Sequence, residues 1–138
     1  MLFKFFFEKF PLSNEEILQL ELFEKEFAKE REYTQTEFIA EGKNLGRKFR
    51  ENPTIENISK LIKIVNCGIF EVFKIKPYLI QNLSVFAFYL HYINKTKRTY
   101  YKGRLGQILT GEGKSLIIAE LALISALMGE FVDIITST

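Results

Sequence analysis

The sequence predicts an α/β chain: N-terminal helices, then the first strand, loop, helix and second strand of an incomplete parallel sheet. Three observations point there. Apolar residues recur at helical spacing from Ile17 to Ile93, with charged residues between them. After Gly103 the period changes, and short apolar runs bracket a glycine-lysine-hydroxyl turn at Gly111-Glu112-Gly113-Lys114-Ser115. Residue usage agrees: 14 Phe, 3 Pro and no Trp in 138 residues favour long helices over a turn-rich β fold.

The first helix opens at Ser13-Asn14-Glu15-Glu16, a capping box in which the Ser hydroxyl accepts from the third amide and the Glu reaches back. Ile17, Leu20, Phe23 and Phe27 make its apolar face. A second, weaker helix runs from about Gln35 to Arg50 with Phe38, Leu45 and Phe49 on one side. Gly42 and Gly46 count against it, since a helical glycine costs about 1 kcal/mol relative to alanine. Asn52-Pro53-Thr54 ends it. Ile58, Leu61, Ile62, Val65 and Ile69 form the stripe of a third helix, and Pro77 fits the first turn of a fourth. Tyr78–Ile93 is predominantly apolar but interrupted by Gln81, Asn82, Ser84 and His91. It falls short of the roughly 20 apolar residues of a membrane span and suits a buried core helix. Beyond it, Leu105 to Leu109 is expected as a buried strand, Lys114 to Met128 as a helix with Gly129 at its C-cap, and Glu130–Ser137 as a second strand.

Several function classes find no support. The net charge of +2 gives no global argument for nucleic acid. The basic connector Asn94–Gly103, with Lys95, Lys97, Arg98, Lys102, Tyr100 and Tyr101, fits a solvated loop better than a nucleic-acid contact. One cysteine, Cys67, excludes an intrachain disulfide and suits a reducing compartment. Cys67 and His91 do not make a zinc site, and Cys67 fits a small buried residue on a helix. The apolar start Met1–Phe10 lacks the cleavage site of a signal peptide, so the chain is not expected to be secreted.

The glycine-lysine turn carries the chemistry. A phosphate cradle needs backbone N–H groups converging on oxygens, which glycines permit, at a helix N-terminus whose dipole favours an anion. It needs a lysine for the β/γ-phosphates and a hydroxyl for Mg²⁺. Thr110, Gly111, Glu112, Gly113, Lys114 and Ser115 supply that set before an apolar helix. The match to G-x-x-x-x-G-K-[ST] lacks its first glycine, where Ile108 stands.

Thr110-Gly-Glu-Gly-Lys-Ser115 after a large apolar residue resembles the ATP-binding loop of SecA, the motor ATPase of preprotein translocation. Residues 116–138 resemble the helix and second strand that follow that loop. Val72–Phe86 resembles the family's segment upstream of the loop, with Lys76 in its arginine position, Tyr78 in its aromatic position and Gln81 in the place of the glutamine that reads adenine. The resemblance covers about residues 70–138, with residues 1–69 as a preceding helical region. It implies a nucleotide-binding, DEAD-like domain using ATP and Mg²⁺. Gln81 would select adenine, whose N6/N7 edge suits an amide. Gly111 and Gly113 would bind phosphate, Lys114 would neutralise charge and Ser115 would hold Mg²⁺. Glu112 would orient loop amides rather than act as a base. The implied partners are an unfolded preprotein and a membrane translocon, and the implied location is cytoplasmic and peripheral to a membrane.

The sequence departs from the family at Lys76 and in a longer connector between Gln81 and Thr110. The sequence also holds no apolar run ending in Asp-Glu, and its one Asp is Asp133. The chain is therefore expected to be the incomplete first part of a motor domain, inactive by itself, with an exposed helix and second strand. Two other functions remain open: a nucleic-acid-dependent ATPase of the same superfamily, and a non-catalytic helical module with a vestigial loop.

Overall fold

The computed structural model describes residues 12–94 and 113–135. Among the described residues there are six helices and no strand: α1 (Asn14–Lys29), α2 (Gln35–Glu51), α3 (Ile55–Phe73), α4 (Leu79–Phe88), α5 (Leu90–Ile93) and α6 (Lys114–Leu127). The expected α/β class is therefore corrected to a helical one. The first expected strand, Leu105–Leu109, lies outside the described residues. The second does not form over its described part: Glu130–Ile135 is irregular, with Phe131 and Ile135 almost fully exposed. Phe, Val and Ile favour strands only where a neighbouring strand accepts their backbone groups and covers their side chains. No described strand lies beside this segment.

The helix starts follow local chemistry. Ser13 and Glu16 form the reciprocal capping box at α1, with both bonds at 3.1 Å. Thr34 and Glu37 repeat the motif at α2, and Thr54 caps α3 by accepting from Asn57 N–H. Pro77 lies just before Tyr78, the extended residue that begins α4, rather than in the first turn. The expected fourth helix is divided at Tyr89, whose φ of −99° and ψ of 2° interrupt it between α4 and α5.

The core is built on α3, which presents Ile58, Leu61, Ile62, Ile64 and Val65 to α1 and α2. Leu20 and Phe23 of α1 meet it from one side, and Phe23 stacks on Phe86 of α4 at 4.4 Å between ring centroids. Leu45 and Phe49 of α2 are buried too. α6 lies across α2, α3 and α4 and buries Ile117 and Ile124 against them. Burial of such side chains contributes about 1.5–3 kcal/mol each, which fixes α6 on the bundle. α3 also runs unbroken through residues 69 and 70, so the helical region and the segment that follows share one element.

Candidate nucleotide-binding site

The candidate site is the N-terminus of α6. Gly113 is its N-cap, with φ 73° and ψ 47°, a left-handed conformation that glycine adopts without strain. Its carbonyl accepts from Leu116 and Ile117 N–H, both at 3.1 Å, and starts the helix. The first-turn N–H groups have no acceptor within the helix by geometry, and they carry the positive end of its dipole. No acidic residue stands in that turn to compensate it. Lys114 and Ser115 both lie exposed there.

Gln81 arrives from α4. It is buried, and its Oε1 accepts from Tyr78 N–H at 2.8 Å. This orients the amide, and Nε2 lies against Gly113 so closely that a Cβ at residue 113 would overlap it. The fold thus brings Gln81 against Gly113, more than 30 positions away in the sequence, at the start of the helix that carries Lys114 and Ser115. Thr110, Gly111 and Glu112 lie outside the described residues. Tyr78 is exposed, and Lys76 Nζ stands 5.2 Å from the centre of the Phe70 ring.

The other end of α6 is held by residues that sequence patterning did not single out. Arg50 of α2 donates to Met128 O at 3.2 Å. The Tyr89 hydroxyl donates to Leu121 O at 3.0 Å and lies 2.7 Å from Ser125 Oγ. Tyr92 donates to the Glu130 carboxylate. Burial pushes both tyrosine hydroxyls well above their ordinary range. Gly46 allows the closest approach, since a Cβ there would overlap the Leu127 carbonyl.

Cys67 is buried on α3, where its Sγ accepts from Tyr33 N–H at 3.4 Å and donates to Glu32 Oε2 at 3.3 Å. Burial pushes the thiol up, away from the reactive thiolate. Among the described residues no three His, Cys, Asp or Glu side chains are grouped to hold a metal ion. None of their helices is long and apolar enough to cross a membrane.

A family model described as the SecA DEAD-like domain matches residues 14–138. The chain belongs to the SecA DEAD-like domain family. The match extends well upstream of the segment that resembles SecA by motif and takes in α1, α2 and α3. At the level of the SecA family it carries the expectation of ATP and Mg²⁺ use, of preprotein and translocon partners, and of a membrane-peripheral setting. No curated protein matches the chain, and no solved structure does.

Proposed function

We propose that this SecA-family chain binds Mg·ATP at the N-terminus of α6, as the nucleotide-binding part of a protein-translocating motor. The observation supporting this reading is the meeting of Gln81 with Gly113 at the start of a helix that carries Lys114 and Ser115 in its first turn. The donor set fits the ligand. Backbone amides and the helix dipole suit phosphate, Lys114 suits its charge, and the Ser115 hydroxyl suits Mg²⁺. Gly111 and Glu112 would complete the cradle with Thr110. The Gln81 amide, already oriented by Tyr78, would read the adenine edge.

Affinity is expected to be weak, about −4 to −6 kcal/mol, since one helix N-terminus and one lysine provide most of the contacts. Titration of Mg·ATP into the wild type and Lys114→Ala tests the reading. Superimposable curves would remove it. The 138 residues by themselves are expected to bind without turnover. Phosphoryl transfer needs a carboxylate that holds Mg²⁺ and a group that orients water. Asp133, the one Asp, sits in the exposed irregular segment after α6. Lys114-dependent phosphate release from these residues would contradict that expectation.

A further inference from the structure

A cleft of about 360 Å³ opens where the α1–α2 connector, α3 and the α3–α4 connector meet. Two turns of the chain supply its residues. Glu32 and Tyr33 belong to the connector after α1. Lys74 caps α3 in a left-handed conformation, φ 57°, and turns the chain out of the helix, so that Lys76 and Pro77 line the same cleft as Phe70 and Glu71. The volume lies at the lower end of the roughly 300–1,000 Å³ typical of small-molecule pockets. Gln81, Gly113, Lys114 and Ser115 do not line it.

Phe27, Tyr33, Phe70 and Pro77 give the cleft aromatic and apolar walls. Several of its polar groups are already committed. Lys63 is paired with Glu32 at 3.2 Å and lies over the Phe27 ring, 4.6 Å from its centre. Glu32 also accepts from Cys67 Sγ at 3.3 Å. The Asn66 and Asn82 amides, 3.0 Å apart, are bonded to each other. Two charges on the cleft are uncommitted. Among the described residues, Lys76 has no carboxylate partner, Glu71 has no cationic one, and the two do not pair with each other. Both are exposed. The Lys76 ammonium stands 5.2 Å from the centre of the Phe70 ring, a contact that leaves its hydrogen-bond donors free.

Aromatic walls, a free cation and a free anion around one small volume match a ligand with a ring, a carboxylate and an ammonium group. We propose that the cleft binds a free aromatic amino acid of the phenylalanine type. Its ring lies among Phe27, Tyr33 and Phe70, its carboxylate accepts from Lys76, and its ammonium donates to Glu71. Charge-assisted bonds of both signs select the zwitterion, because a ligand with one charged group leaves one of the two side chains to water. The site stands apart from the nucleotide reading and does not require it.

Titration of the full 138-residue chain with L-phenylalanine, followed by NMR at the Asn66 and Asn82 side-chain amides, tests the assignment. Saturable shifts are expected, with a dissociation constant on the order of 1 mM or tighter. Hydrocinnamate lacks the ammonium and phenethylamine lacks the carboxylate, and each should bind about tenfold more weakly, the worth of one charge-assisted bond. Glycine, which lacks the ring, should give no saturable shift. Two substitutions divide the contacts, and both side chains are exposed, so the fold is expected to survive each change. Lys76→Met should weaken phenylalanine and hydrocinnamate about tenfold and leave phenethylamine unchanged. Glu71→Gln should weaken phenylalanine and phenethylamine about tenfold and leave hydrocinnamate unchanged. The absence of a saturable shift with phenylalanine, equal affinities for the three ring compounds, or variants that bind all three like the wild type would overturn the proposal. Excess Mg·ATP should leave the phenylalanine shifts in place, and displacement by it would overturn a separate site.

Discussion

The two ends of α6 are built in opposite ways. The C-terminal end closes with Gly129 at φ 82° and two terminal bonds, Gly129 N–H to Ala126 O and Glu130 N–H to Ser125 O, both at 3.0 Å. Arg50, Tyr89 and Tyr92 then tie it to α2 and to the α4–α5 corner. The N-terminal end has a left-handed glycine, two exposed residues and the Gln81 amide beside it. Among the described residues, the side-chain bonds that tie α6 to other helices are concentrated at its C-terminal end, while Lys114 and Ser115 at its start are exposed. A helix held rigidly at one end aims the other, which suits a site whose donors must be placed before the ligand arrives.

The largest expected effect comes from breaking the closed end. Gly46→Leu places a side chain against the Leu127 carbonyl, and backbone yields less than a side-chain tip does. Overpacking of this kind costs about 1–3 kcal/mol, and the upper part of that range is expected here. Denaturant unfolding of the two proteins measures it. A loss under about 0.5 kcal/mol would mean that the two helices do not approach so closely.

The open end should behave in the reverse manner. Lys114→Ala is expected to leave stability within about 0.5 kcal/mol, as exposed substitutions usually do. Its effect belongs in binding, where a charge-assisted contact to phosphate is worth about 1.5–3 kcal/mol, or at least about tenfold in affinity. A substitution that altered folding and left Mg·ATP affinity unchanged would reverse the contrast between the two ends.

Tyr89→Phe tests the closed end more gently. It removes a hydroxyl that donates to Leu121 O, at a cost of about 1 kcal/mol. Because burial raises the Tyr89 hydroxyl above its ordinary value of 10, the folded state holds that proton more tightly. Its contribution is therefore present below pH 10 and falls as pH rises beyond it. The difference between wild type and Tyr89→Phe should narrow on that alkaline limb, and a constant difference would show that Tyr89 does not titrate with folding.

The helices were legible because their signals are local. Ser13 to Glu16 and the stripe from Ile58 to Ile69 announce α1 and α3 without reference to anything distant. Thr34 with Glu37 carries the same capping signal for α2. Gly42 and Gly46 argued against α2 on propensity, yet they sit buried where Leu127 packs. Local cost gave way to a tertiary approach that only small residues allow. The strand expected after α6 failed for the complementary reason, since a strand depends on a neighbour that local sequence cannot supply. Of the site, the residue types in the turn were legible, but the closeness of Gln81 to Gly113 depends on how α4 and α6 cross. Glu120 had a visible signal, a lone carboxyl inside an apolar helix, but its full burial depends on how α6 packs.

The last test sharpens the comparison most, because Gln81 takes part in packing and, in the proposed function, in recognition as well. Its Oε1 accepts from Tyr78 N–H, so Gln81→Ala removes one hydrogen bond at the start of α4, at about 0.5–1.5 kcal/mol. That loss alone says nothing about nucleotide. Base choice does. Adenine presents a donor at N6 and an acceptor at N7, whereas guanine offers an acceptor at O6. An oriented amide that reads the adenine edge makes ATP compete better than GTP, and Gln81→Ala should narrow that preference. Competition by pyrophosphate, which lacks a base, should stay the same, because Lys114 and the α6 amides are untouched. Equal affinities of the wild type for ATP and GTP would leave Gln81 with its bond to Tyr78 and its contact with Gly113, a packing residue at the edge of a phosphate site.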